Sequence, residues 1–318
     1  MHEPHPLLPL LGRGADPEQV RHVRELPGRE AETAAWPETI HPDVVAAYGA
    51  MGIDKPYAHQ ARAIRAAGES HVIVATGTAS GKSLAYQAPV LSNLHRGRLA
   101  ARRAPGRLQH PDEATALYLS PTKALAADQL SALEGLIRRG GGPDGVGLDV
   151  RARTYDGDTP VSERRWIRDH ADAVLCNPDM LHAGVLPNHQ QWSRFLRRLR
   201  WVIVDEAHVY RGVFGSHVAV VLRRLQRVAA LYGAAPVFIG ASATSAWPQD
   251  SFARLIGAPS EEVTAIREDT SPHGPVTVVL WEPEQSGAEG ENGAPVRRSA
   301  VVEDAEMLTD LVLRQVRT

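Results

Sequence analysis

The chain has 318 residues, 43% hydrophobic and 23% charged, with a net charge of −2 at neutral pH, enough apolar material for one large or two ordinary cores. The balanced charge excludes a globally basic nucleic-acid binder, so any polyanionic partner must be held by a local patch. The single cysteine, Cys176, excludes an intrachain disulfide and a cysteine-rich zinc site; no apolar run approaches the about 18 residues of a membrane span; the start, Met1-His2-Glu3-Pro4, lacks the regions of a signal peptide; and a reducing cytoplasm is the expected setting.

Residues 1–40 are rich in Pro, Gly, Glu and Arg and are expected to form a partly ordered arm with one short helix over 17–26. Val44, Val45, Tyr48 and Met51 recur at helical spacing and predict a helix over 42–52, followed by a second over 57–67. Apolar runs at 71–75, 116–120, 173–176, 201–204 and 236–240 then alternate with helical periods at 82–94, 123–138, 162–170 and 214–232. Short strands that are apolar on both faces and separated by helices predict a parallel sheet covered on both sides. One further strand is read at 276–281. Three stretches read as loops. Residues 96–112 carry Arg96, Arg98, Arg102, Arg103 and Arg107, which suit a solvated surface or a nucleic-acid contact. Residues 140–145 are a turn cluster, and 285–295 a flexible connector ahead of a helix over 301–316. The expected division is an arm (1–40), a main domain (41–282) and a connector with its helix (283–318).

The nine residues Ala75-Thr76-Gly77-Thr78-Ala79-Ser80-Gly81-Lys82-Ser83 sit between a strand and a helix, the order a triphosphate-binding loop requires. Backbone N–H groups and the helix N-terminus there cradle phosphate oxygens. Lys82 would reach the β- and γ-phosphates and the Ser83 hydroxyl would sit on Mg²⁺. The usual pattern, G-x-x-x-x-G-K-[ST], has Thr76 in its first place, so the loop alone also fits an ordinary glycine-rich turn. Downstream, the strand Trp201-Val202-Ile203-Val204 ends in Asp205-Glu206. Strand C-terminal ends face the ligand crevice of a parallel sheet, so Asp205 would meet the same Mg²⁺ and Glu206 would activate the attacking water. Ser242-Ala243-Thr244, at another strand end, suits a pair of hydroxyl caps or a switch relaying nucleotide state. Upstream, the Gln60 amide can pair with adenine N6 and N7, and Tyr57 could stack on the base; an ordinary helix start reads the same.

The order Gln60, Thr76 to Ser83, Ser120-Pro121-Thr122-Lys123-Ala124-Leu125, Asp205-Glu206-Ala207-His208, Ser242-Ala243-Thr244 resembles the first motor domain of superfamily 2 DEAD/H-box helicases: its Q motif and motifs I, Ia, II and III. With Thr154-Tyr155-Asp156-Gly157-Asp158-Thr159, Asn177-Pro178-Asp179-Met180-Leu181-His182 and Tyr210-Arg211-Gly212-Val213-Phe214-Gly215-Ser216-His217, the chain is similar to the YprA/MrfA-like branch, which includes fungal RecQ-like helicases. That branch tolerates Thr or Ser in place of the loop's first glycine.

The resemblance, over roughly residues 42–281, implies a RecA-like P-loop NTPase fold: an α/β domain with a mostly parallel twisted sheet and helices on both faces. It implies ATP and Mg²⁺, held by Tyr57, Gln60, Thr78, Ala79, Ser80, Gly81, Lys82 and Ser83, with Lys82, Asp205 and Glu206 catalytic and Ser83 and Asp205 on the metal. It implies that His208 couples the nucleotide site to Ser242 and Thr244. Pro121, Thr122, Lys123, Gly157, Asp158, Asn177, Pro178 and Asp179 would hold a single strand by its phosphates, which carry no base information. DNA over RNA, a single strand or 3′ overhang as substrate, a DNA-repair setting and a monomeric state follow from the resemblance alone.

A helicase of this kind closes its ATP site with arginines of a second motor domain, and no Gln-x-x-Gly-Arg-x-Gly-Arg-like stretch occurs here. The chain therefore reads as a fragment, with a second RecA-like domain expected C-terminal of residue 318. An arginine finger is worth on the order of 10³–10⁵ in rate, so the chain is expected to bind ATP·Mg²⁺ and single strands, hydrolyse weakly and not unwind. A non-catalytic, nucleotide-dependent nucleic-acid-binding module is the competing class. A small-molecule phosphotransferase leaves Asn177 to His182 and Ser242 to Thr244 without purpose.

Overall fold

The computed structural model describes residues 20–103, 113–140, 147–283, 285–289 and 295–297. The expectations for residues 1–19, 104–112, 141–145, the middle of the connector and the helix over 301–316 lie outside these residues.

In chain order the elements are β1 (Val20–Leu26), α1 (Pro42–Gly49), α2 (Ala58–Ala66), β2 (His71–Ala75), α3 (Lys82–Arg103), β3 (Thr115–Leu119), α4 (Lys123–Arg139), β4 (Ala152–Thr154), α5 (Val161–His170), β5 (Ala173–Cys176), α6 (Pro178–Met180), α7 (Ser193–Arg197), β6 (Leu199–Val204), α8 (Gly212–Leu231), β7 (Val237–Ser242), α9 (Pro248–Ile256), β8 (Val263–Ile266), β9 (Val276–Trp281), β10 (Gln285–Glu289) and β11 (Pro295–Arg297). Seven strands form one sheet in the order β4-β5-β3-β6-β7-β2-β8, parallel throughout. Side chains alternate across each strand. Val72, Val74, Tyr118 and Ile203 pack under α1 to α4, while Ile73, Leu117, Val202 and Phe238 pack against α5, α7, α8 and α9. Gly240 permits the second packing, because a Cβ there would lie 2.6 Å from both Ile73 and Phe252. Helix starts carry their own signals: Pro42 opens α1 after His41, whose Nδ1 accepts from the Asp43 N–H, and the Thr122 hydroxyl oxygen accepts from the Leu125 N–H at the start of α4.

The chain divides into two compact units, Glu30–Pro272 and a second built from residues 1–29 with 273–318. The large unit holds the seven-stranded sheet. In the small one, β1 pairs antiparallel with β9 and β10 with β11.

Four expectations change. Residues 20–26 are a strand, not a helix: Val20, Val23 and Leu26 fit a helical period, but their hydrogen-bond partner is the β-branched run Val276-Thr277-Val278-Val279, some 250 residues away, which no local pattern reveals. The arginine-rich stretch continues α3 as far as Arg103; Arg98 and Arg102 reach Asp149, so that part is neither a loop nor free of partners. The described ends of the connector are paired strands. The elements β4, α9 and β8 were not expected at all; β4 and β8 have three and four residues, too short for a period to show.

Candidate active site

The strand order determines the site. The phosphate loop follows β2, Asp205 and Glu206 follow β6, and Ser242 ends β7, which lies between those two strands. Ala75 is paired with Ser242, and Val204 with Gly240. All three motifs therefore share the carboxyl edge of the sheet, with the Ser242 strand between the other two.

The loop is held from within and from behind. Its left-handed residues are Ala79 (φ 61°) and Gly81 (φ 72°); Thr76 is not among them. Threonine in the first place thus costs no backbone strain, and the buried Thr76 hydroxyl is 2.7 Å from the Ser80 hydroxyl, which also donates to the Gly77 carbonyl at 2.8 Å. Ser80 is fully buried, so what it can offer a ligand is backbone, while Thr78 and Ala79 are exposed. The Gln60 amide donates to the Gly81 carbonyl at 2.9 Å and accepts from the Tyr57 N–H at 2.8 Å. A Cβ on Gly81 would sit 2.5 Å from that amide nitrogen. The Tyr57 ring stacks on His59, centroids 5.9 Å apart.

Sequence reasoning missed His59, Thr270 and Asp269. The Thr270 N–H donates to His59 Nδ1 (3.2 Å), so the neutral ring carries its proton on Nε2 and donates it to the Ser80 carbonyl, 3.1 Å away. Asp269 Oδ2 lies 3.1 Å from where a Gly77 Cβ would be. His59 adjoins Gln60 and could have been found with it; nothing in the residues near 269 signals a role.

Lys82 Nζ donates to the carbonyls of Gly77 (2.6 Å) and Thr76 (3.2 Å). Burial pulls its pKa down, against the charges of Glu206, Asp269 and Asp205, so the loop lysine and the paired carboxylates share one electrostatic site. Asp205 is 7% exposed; burial first, then the neighbouring Glu206, push its carboxyl up to about 6, against the Glu206 N–H, Lys82 and His208. Its Oδ1 accepts that N–H at 3.0 Å. Glu206 itself is left-handed (φ 49°), a conformation costing on the order of 1–3 kcal/mol and typical of functional turns. The hydroxyl oxygen of Ser83 and the carboxylate of Asp205 are hard oxygen donors of the kind that suits Mg²⁺.

His208 Nδ1 faces two groups: the Glu206 carboxylate at 3.2 Å and the Ala243 N–H at 3.3 Å. A bare nitrogen accepts from Ala243; a protonated one donates to Glu206. The two arrangements exclude each other, so His208 sits where the carboxylate turn and the Ser242–Thr244 turn compete for one atom. Ser242 is buried and donates to the Ala243 carbonyl at 2.9 Å; Thr244 is exposed.

The remaining motifs lie at the carboxyl ends of β3, β4 and β5, on the other half of the same edge. Lys123 donates to Asp158 at 2.7 Å, and its Nζ is 3.5 Å from a Cβ placed on Gly157. Arg164 braces that turn, donating to the carbonyls of Thr159 and Gly157. Asn177 Oδ1 caps α6 by accepting the Met180 N–H at 2.8 Å; Pro178 is buried, Asp179 exposed and Pro121 half-buried. A cavity of about 1090 Å³ adjoins the loop, lined by Tyr57, Gln60, Ala79, Gly81 and Ser83, and by Gln87 and Gln129 beyond. Among the described residues no helix is long and apolar enough to cross a membrane.

The DEAD/DEAH box helicase family model matches residues 57–251. The chain is 38% identical to the ATP-dependent helicase YprA of Bacillus subtilis over 304 residues, 95% of this chain and 37% of YprA. It is 37% identical to the ATP-dependent helicase HRQ1 of Saccharomyces cerevisiae over 94% of this chain and 26% of that protein. The crystal structure of DUF1998 helicase MrfA bound to DNA and AMPPNP superposes with a TM-score of 0.78 at 37% identity, covering 92% of this chain and 37% of MrfA. The chain thus spans little more than a third of the length of YprA and MrfA.

Proposed function

The chain belongs to the DEAD/DEAH box helicase family, and from that premise we propose that it is the ATP-binding motor domain of an ATP-dependent DNA helicase acting in DNA repair. One observation carries the reading. The order β6-β7-β2 puts an acid pair and a phosphate loop on either side of a serine-bearing strand, and His208 touches both the acid pair and the turn after that strand. A kinase has no use for such a switch.

In this reading the backbone of Thr78 to Gly81 cradles the phosphates, Lys82 neutralises them, and Tyr57 and Gln60 border the adenine. Ser83 and Asp205 hold Mg²⁺, which when bound offsets charge on the phosphate oxygens. Glu206 orients the water that attacks the γ-phosphate and takes its proton. Hydrolysis removes the contact that orders the acid pair, and His208 passes the change to Ser242 and Thr244. Lys123, Thr122, Gly157 and Asn177 contact the phosphates of a single strand, or of a 3′ overhang, beside Pro121, Asp158, Pro178 and Asp179. The DNA held by MrfA supports DNA over RNA. Among these 318 residues this half of the site binds ATP·Mg²⁺ and single strands, and turns over slowly.

Glu206→Gln separates this reading from a non-catalytic binding module. We expect DNA-stimulated ATP turnover to fall roughly 10²- to 10⁴-fold with nucleotide affinity unchanged. Equal turnover in variant and wild type, at any rate above background, overturns the reading.

A further inference from the structure

Ser83 stands at the start of α3, and one turn later Tyr86 lies inside the protein, 1% exposed. Its phenol oxygen is 3.2 Å from the Ser83 hydroxyl and 3.2 Å from Oε1 of Gln129 on α4. A phenol has one proton, and the amide oxygen of Gln129 can only accept. The bond runs from Tyr86 to Ser83: the phenol donates to the Ser83 oxygen, and Oε1 of Gln129 is a second acceptor for the same proton. That bond fixes where the Ser83 oxygen stands and leaves its other lone pair for a cation. Without that donor the hydroxyl can turn and point its proton at the cation.

The phenol is well placed to impose this direction. Its ring packs edge-on against Tyr118, centroids 6.1 Å apart at 68°, and Tyr118 is itself buried in the same core.

We propose that Tyr86 is a positioning residue that orients the Ser83 hydroxyl for the nucleotide-bound metal. The inference rests on the ATP·Mg²⁺ reading of the loop and adds to it a residue outside the phosphate-binding motif. A hydrogen bond of this kind is worth a factor of about three to ten in an equilibrium.

The test is Mg²⁺ titration of the binding of a fluorescent ATP analogue to the whole chain. In Tyr86→Phe the Mg²⁺ midpoint should rise about three- to tenfold, with affinity for the analogue in EDTA and the melting temperature both at wild-type values. Gln129→Met, which keeps the side chain's length and removes the competing acceptor, should leave the midpoint at or below the wild-type value; a rise would overturn the proposal. A wild-type midpoint in Tyr86→Phe overturns the proposal. So does a parallel loss of affinity in EDTA, which would mark Tyr86 as packing only. If wild-type protein binds the analogue with no dependence on Mg²⁺, the nucleotide reading itself fails, which is a distinguishable result.

Discussion

Lys123 and Asp158 show how a single residue pair can report on function. Both are proposed to meet a nucleic-acid strand, yet in this structure they hold each other at 2.7 Å on an exposed surface. A phosphate must displace Asp158 before Lys123 can serve it. Exposed pairs are weak, so the competition should be mild. Asp158→Asn should raise affinity for single-stranded DNA roughly two- to fivefold, and should leave the slope of log affinity against log salt unchanged, because the number of phosphates neutralised is the same. Fluorescence anisotropy with a labelled oligonucleotide at several salt concentrations measures both. A fall in affinity would mean that Asp158 contacts the strand itself. At this scale the sequence was readable in that Lys82, Asp205 and Glu206, expected at one site, do lie within one another's electrostatic reach. It was less readable where a side chain's partner is a distant backbone atom. Gln60 suggested an adenine contact from its donors and acceptors, and here those same atoms clamp the loop at Gly81. His59 donates to the Ser80 carbonyl while its other ring nitrogen accepts from the Thr270 N–H, 211 residues away.

Among the elements, β2 and β7 together set the loop after Ala75 beside Ser242. Their register is pinned at the start of β2 by His71, whose Nδ1 accepts the Phe238 N–H at 3.1 Å and whose ring meets Phe238 edge-on at 5.5 Å. Only a neutral imidazole can accept there. Burial holds the His71 pKa below its ordinary 6.5, with Glu262 opposing. The unfolded chain therefore takes up this proton more readily than the folded one. The stabilisation is fully present above about pH 6.5 and is lost as pH falls through the folded-state value. His71→Asn keeps an acceptor oxygen near the place of Nδ1 without a titrating group. Urea midpoints measured at pH 7, 6 and 5 should fall less steeply in that variant than in the wild type; parallel slopes would assign the acid sensitivity to other groups. Within the seven-stranded sheet, the strands that could be read from sequence were those buried on both faces and so continuously apolar, and β9 was legible from its β-branched run. The edge strands β4 and β8, and β1, owe their existence to partners, and their residues carry little of it locally.

Taken whole, the large unit presents one sheet edge with two halves: the proposed nucleotide groups at β2, β7 and β6, and the proposed strand-contacting groups at β3, β5 and β4. The topology places them side by side, so movement of the acid pair at the end of β6 adjoins β3 and its Thr122 and Lys123 directly. The parallel order of these strands was implied by the alternation of strands and helices; their lateral order was not, because crossover connections leave no mark on composition. Lys82 comes from the loop itself, and no Gln-x-x-Gly-Arg-x-Gly-Arg-like segment occurs among the 318 residues. In-line phosphoryl transfer spreads charge onto equatorial oxygens that an arginine finger ordinarily meets, at a gain on the order of 10³–10⁵ in rate. The 318-residue chain with saturating single-stranded DNA should therefore turn over ATP slower than full-length YprA by about that factor, while binding a fluorescent ATP analogue with Mg²⁺ comparably. It should leave a duplex with a 3′ overhang intact in a strand-displacement assay. Turnover matching the longer relative, or displacement of the strand, would show that these 318 residues supply that charge themselves.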